Sequence, residues 1–149
     1  MFEIINENFS DLFNWKNYSA SYFSIDSGIY LKGKGAGAGG AQTIEYTNSS
    51  VLIPGKTYKL QWDLNWFSGA GGGWFDCGSG TAQYSFSAQG TGYHIVDLQA
   101  GAGSEFKIWV AGPPANIFKL DYLRVYSLGG KSPDLVNNRP VKNLINQGL

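Results

Sequence analysis

The stretch that most constrains this chain is residues 51–67. After Pro54-Gly55 it alternates, with Tyr58, Leu60, Trp62, Leu64 and Trp66 on one side and Lys59, Gln61, Asp63 and Asn65 on the other. Period two over this length is the signature of a half-buried β-strand, because successive side chains leave opposite faces of the pleat. The two faces make different demands. Three large aromatics on one face need a deep opposing surface, which a second sheet about 10 Å away supplies. The expectation is a β-sandwich whose core takes Tyr58, Leu60, Trp62, Leu64 and Trp66, with Gln61, Asp63 and Asn65 left outside.

The other strands read less sharply. Residues 2–5 open the chain, and a loop comes next in which Phe9 and Trp15 plug the end of the core. Phe23, Ile25, Ile29 and Leu31 form a hairpin about Ser27-Gly28. The run 33–40 is too poor in side chains to pack, so it is either a mobile loop or a close approach of another backbone. Residues 42–46, 81–87, 93–99, 105–111 and 117–127 each read as strands, whereas 68–80 reads as a second glycine-rich loop carrying Trp74 and Phe75. With 21 glycines, 15% aromatics and no convincing helical run, the class is all-β: a jelly-roll sandwich of about eight to ten antiparallel strands. It spans residues 1–128, and a linker and C-terminal tail occupy 129–149, where aromatics disappear and prolines and asparagines accumulate.

Several chemistries are excluded or disfavoured. Eleven basic and eleven acidic residues cancel, so the chain lacks the basic footprint of a nucleic-acid binder. Cys77 is the single cysteine, which rules out an internal disulfide or a Cys-x-x-Cys metal site and leaves it as a small loop or core residue. His94 is the single histidine and alternates with Tyr93 and Ile95 inside a strand, where packing is its expected role rather than a catalytic triad. The acids are scattered singly and form no glycosidase motif, so no catalytic residue is assigned. The glycine runs do not match a phosphate loop. No stretch has the apolar length of a membrane helix, and the first residues lack the basic and apolar regions of a secretory leader.

Taken together, Asn6, Phe9 and Trp15, then Gln42, then Pro54-Gly55-Lys56-Thr57-Tyr58-Lys59-Leu60, and finally Phe118-Lys119-Leu120-Asp121-Tyr122-Leu123-Arg124-Val125 carry a resemblance. Over residues 1–128 the chain resembles the carbohydrate-binding modules with a galactose-binding-like jelly roll, the group near families four and nine. The resemblance implies that fold, a sugar ligand, and a structural calcium for which Asp121 is the one candidate ligand. Ser10 stands where such modules often have Glu, and one carboxylate supplies few of the about six to eight oxygens that calcium takes. No other cofactor is expected.

Sugar binding needs a flat aromatic against the apolar face of a pyranose and polar groups for its hydroxyls. On the polar face of the organising strand these are Gln61, Asp63 and Asn65, with Gln83 expected beside them. Trp109 alternates with Lys107 and Glu105, so it stands on the polar side of its strand unless its register is shifted to face the other sheet. Trp74, among glycines, is either a second platform or a cap on one end of the sandwich.

A jelly roll with no leader and a polar tail is expected to be a virion surface protein, made in the host cytoplasm: a bacteriophage fibre, tail or capsid-decorating subunit serving host-glycan adhesion or structural display, as a homo-oligomer. The alternative is a carbohydrate-binding module of a polysaccharide-degrading system, with a glycoside hydrolase behind it. In the tail, Val141, Leu144, Ile145 and Leu149 recur at i, i+3, i+4 and i+8, one face of a short amphipathic helix. Too short to hold a helix alone, the tail is expected to dock on other virion subunits unless it is simply a disordered end.

Overall fold

A computed structural model of the chain describes residues 1–128. Val141, Leu144, Ile145 and Leu149 lie outside the described residues.

The described chain holds eleven strands: β1 (Phe2–Glu7), β2 (Trp15–Lys16), β3 (Phe23–Asp26), β4 (Tyr30–Lys34), β5 (Gln42–Tyr46), β6 (Thr57–Ser68), β7 (Gly72–Cys77), β8 (Tyr84–Ser85), β9 (Gly92–Gln99), β10 (Phe106–Ala111) and β11 (Ile117–Ser127). They form two antiparallel sheets. The larger runs β3-β4-β11-β6-β9, with β1 also pairing with β11, and the smaller runs β2-β5-β10-β7-β8. Strand β4 covers the first part of β11 and β1 covers its last part, so β11 and β6 make the spine of the larger sheet.

The organising strand lies where its pattern demands, in the middle of that sheet. Tyr58, Leu60, Trp62 and Leu64 are buried and meet Phe75, Phe106, Ile108 and Val110 of the smaller sheet in one continuous core. Trp62 is its centre, edge-on to Phe75 at 5.2 Å and to Tyr84 at 5.8 Å, with the His94 ring tilted against it at 5.3 Å. Such edge-to-face pairs add about 0.5–1.5 kcal/mol each beyond area burial. His94 is thus a packed strand histidine, and its Nε2 lies 2.9 Å from the Gly90 carbonyl. Phe9 and Trp15 close one end of the core as expected, held by Glu7, which accepts from the Phe9 amide at 3.0 Å and from Trp15 Nε1 at 2.9 Å.

Three sequence expectations fail. Residues 68–80 are not a loop: β7 occupies their middle as an inner strand of the smaller sheet. Its glycines mark close approach rather than mobility, because a Cβ on Gly73 would overlap the Phe86 ring, just as one on Gly33 would overlap Phe118. Residues 81–87 are not a full strand: only Tyr84–Ser85 pair with β7, and a single 3₁₀ turn comes after them over Ser87–Gln89. The third failure is Trp66, which is 52% exposed rather than core. Its displacement opens an aromatic face on the outside of the larger sheet.

Candidate functional site

Two β-bulges face each other across the spine of the larger sheet. In the β6–β11 ladder Lys119 pairs with Trp66, Leu120 with Leu64, and Tyr122 with Asp63, so Asn65 and Asp121 are each one residue too many. A bulge shifts the alternation by one residue and re-aims the side chains beyond it. In β6 the inward set Tyr58, Leu60, Trp62, Leu64 therefore ends, and Asn65 and Trp66 both stand outside while Phe67 turns back toward the core. In β11 Leu120 is inward, Asp121 and Tyr122 are both half-buried on the outer side, and Leu123 and Val125 resume the inward set. Strand β9 reaches only as far as the Leu64–Gly92 pair, so nothing in it covers Trp66.

The result is an outer face rich in aromatic rings. Tyr93, Asp63 and Tyr122 are cross-strand neighbours in one row, with the two tyrosine ring centroids 6.5 Å apart and the carboxylate of Asp63 set on the strand between them. The next row holds Ile95, Gln61 and Arg124, and the Arg124 guanidinium lies over the Tyr122 ring at 4.5 Å. Tyr93 is 56% exposed, and Ile95 is exposed beside it. Single exposed apolar residues are ordinary; a group of them around polar side chains marks a binding surface.

The polar groups here are uncommitted. Among the described residues, the side chains of Gln61, Asp63, Asn65 and Asp121 make no hydrogen bond or ion pair. Burial, and secondarily the charge of Asp63, raises the Asp121 carboxyl above the usual aspartate range. Burial also raises the Tyr122 hydroxyl, helped by Tyr93 and Asp63 and opposed by Arg124. A carboxyl whose charged form is disfavoured by burial and by a neighbouring acid is costly to the fold, and perturbed groups of this kind gather at functional sites.

The smaller sheet's outer face is organised differently. Trp109 does stand on the outer side of β10, half-buried, directly opposite Trp74 of β7. Trp109 Nε1 donates to Asp76 Oδ2 at 3.1 Å, and the Glu45 carboxylate on this face takes bonds from Asn17 and Ser49. Here most of the polar groups are engaged by the protein itself.

The residues singled out for sugar binding thus fall into two sets that cannot share a site. Gln61, Asp63 and Asn65 leave the larger sheet and Trp74 and Trp109 the smaller one, on opposite outer faces of the sandwich. Gln83 does not lie beside Gln61: its side chain accepts from the Cys77 amide at 2.8 Å and donates to the Gln99 carbonyl at 2.9 Å, tying the end of β7 to the end of β9. Asp121 has no cluster of acids about it, since no three His, Cys, Asp or Glu side chains converge among the described residues. Trp66, Tyr93, Tyr122 and Arg124 do not stand out as site residues in the sequence. The one available signal is in β11, where the apolar positions 118, 120, 123 and 125 step by two, three and two.

No protein-family model matches the chain. No curated protein matches it either. Solved structures do. The CBM1 module of BiXyn10A, in its apo form, superposes with a TM-score of 0.55 at 15% identity, over 85% of this chain and 99% of that one. The fold is that of carbohydrate-binding modules. The CBM22-1–CBM22-2 tandem of Paenibacillus barcinonensis Xyn10C matches with a TM-score of 0.54 at 9% identity, over 89% of this chain and 48% of that one. The CBM22-1–GH10 modules of Clostridium thermocellum xylanase 10B, complexed with xylohexaose, match with a TM-score of 0.53 at 12% identity, over 88% of this chain and 29% of that one. At these identities the likeness is one of fold.

Proposed function

We propose that this domain is a non-catalytic glycan-binding module whose site is the outer face of the larger sheet. Trp66, Tyr93 and Tyr122 are its stacking surfaces, and Gln61, Asp63, Asn65, Asp121 and Arg124 meet the hydroxyls. The observation that carries the reading is the Tyr93–Asp63–Tyr122 row, in which a carboxylate with no partner sits between two tyrosines on an open sheet. Tyrosine and tryptophan rings offer an apolar face to a pyranose, and an acceptor between them that no protein group already occupies is free to pair with a hydroxyl. The row is open at the surface, which suits a chain crossing the strands.

The matched folds include modules joined to xylan-degrading enzymes, which favours a module of a polysaccharide-degrading system over a virion surface subunit. A neutral polysaccharide such as xylan is the ligand class this supports, since around the tyrosine row the two carboxylates of Asp63 and Asp121 outnumber the one cation, Arg124, and disfavour a uronate there. The test is calorimetric titration of the wild type, Tyr93→Ala and Trp66→Ala with xylohexaose and with a panel of neutral hexasaccharides. Binding by the wild type to at least one, weakened about tenfold or more in each variant as loss of an aromatic anchor does, supports the reading. Full binding by both variants sinks it.

A further inference from the structure

We propose that the outer face of the larger sheet also recognises a carboxylate-bearing branch on its glycan, held by Lys32 and Lys34 of β4 beside the stacking surface. The inference rests on that face being the glycan site, and it adds the class of glycan: a neutral chain that carries uronate branches.

The outward row alongside Tyr93, Asp63 and Tyr122 crosses three strands: Lys119 of β11 pairs with Trp66 of β6 on one side and with Lys32 of β4 on the other. In β4, Leu31 and Gly33 are buried, so Lys32 and Lys34 share the outer side, the first half-buried and the second exposed. Lys32 and Lys119 are therefore directly opposed on one face, an arrangement of like charges that destabilises a sheet. One carboxylate answers them. Asp26 of β3 takes the Lys119 ammonium at 2.8 Å, whereas among the described residues the ammoniums of Lys32 and Lys34 have no ion pair or hydrogen bond. Three cations against one acid leave two positive charges at this end of the face.

The uncommitted charges thus divide the face in two. Around the tyrosine row they are the carboxylates of Asp63 and Asp121, which disfavour a uronate in the chain itself; on β4 they are the ammoniums of Lys32 and Lys34, which offer charge-assisted hydrogen bonds to a carboxylate. An acidic unit is therefore placed on a branch and not in the backbone. Trp66 and Lys32 stand two strand spacings apart, about 10 Å, a gap that one branching sugar spans from a ring stacked on Trp66 to a carboxylate over β4. Lysine suits the task, because an ammonium on a flexible stem meets a carboxylate as a point charge and needs no fixed fork. The contact is open to solvent, so its gain is several-fold and falls with salt.

The experiment is calorimetric titration of the full chain, wild type and Lys32→Gln/Lys34→Gln, with three probes: linear xylohexaose, the same hexaose bearing one glucuronate branch at each interior unit in turn, and the same set with a glucose branch. Both substitutions lie on the sheet surface and leave the Lys119–Asp26 pair in place. The expected result is that the wild type binds at least one glucuronate-branched probe about fivefold more tightly than its glucose-branched counterpart. That advantage should disappear in Lys32→Gln/Lys34→Gln and at about 1 M salt, while linear xylohexaose binds both proteins alike. Equal affinity for the two branches, or an advantage that the double variant keeps, overturns the branch site; the stacking site then stands if Tyr93→Ala still weakens linear xylohexaose. If only glucuronate-branched probes bind, and Tyr93→Ala binds them as the wild type does, the branch site stands and the stacking site falls. A wild type that binds none of the three overturns both.

Discussion

Trp62 and Trp66 sit four residues apart in the same strand and share one face by alternation, yet truncating them should have different costs. Trp62 is fully buried against Phe75, Tyr84 and His94, so Trp62→Ala loses the transfer energy of an indole and leaves a cavity, about 3–5 kcal/mol. Trp66 is 52% exposed, so roughly half of a side chain that buries about 200 Å² is involved, an upper limit of ~2.5 kcal/mol at ~25 cal/mol per Å². Partial burial in the unfolded chain lowers that to about 1.5 kcal/mol, and no cavity adds to it. A domain of this size shifts by about 2–4 °C per kcal/mol, so thermal melts tracked by circular dichroism should drop about 10–15 °C for Trp62→Ala and about 3–5 °C for Trp66→Ala. A third variant separates size from polarity. Trp62 Nε1 has no partner among the described residues, and Trp62→Phe removes that stranded donor, a relief of about 1–3 kcal/mol that offsets much of the lost area. Trp62→Phe should therefore melt within a few degrees of the wild type. Equal losses for Trp62→Ala and Trp66→Ala would refute the bulge at Asn65 and return Trp66 to the core.

The titrating groups set further outcomes. The folded state holds Asp121 above its unfolded value of about 3.9, so it binds the proton more readily than the unfolded chain does, and stability falls as pH rises through the window from about 3.9 to the raised folded value. Asp121→Asn should abolish that decline and melt higher than the wild type at neutral pH; an unchanged pH profile of melting temperature would show that the carboxyl is fully solvated. Asp26 behaves oppositely, because its hydrogen bond from Lys119 depresses its pKa. Its contribution is present above the unfolded value and lost as pH falls through the folded one, so Asp26→Asn should flatten the acid limb of the same profile. Burial pushes the Cys77 thiol up to about 12, so the native protein should resist a thiol-specific disulfide reagent at pH 8 and react only when unfolded; prompt native labelling would contradict its place in β7.

The sandwich is legible in the sequence because its strongest signal is local. The alternation from Tyr58 to Leu64, the Ser27-Gly28 turn with both residues at positive φ, and the bounds of β5 and β11 are where the sequence puts them. The features that escape depend on neighbours. Gly72 and Gly73 read as a loop, but the Phe86 ring packs on Gly73 and Trp74 lies over Gly72, so here small residues serve an inner strand. Alternation alone puts Gln61, Asp63 and Asn65 outside, whereas it is silent on their aromatic companions. Tyr93 and Tyr122 come from strands about thirty and sixty residues away, and only the ladder brings them to Asp63. Trp66 is lost to a one-residue slip, which reverses every side chain beyond it and leaves no mark in β6 itself.

The most direct test of binding on the larger sheet's face is a nitrogen–proton correlation spectrum of the five tryptophan indoles, Trp15, Trp62, Trp66, Trp74 and Trp109, during titration with a glycan that the wild type binds. The Trp66 signal should shift with the glycan's binding curve while those of the buried Trp15 and Trp62 stay in place. A Trp66 signal that does not move at saturation would contradict binding on that face.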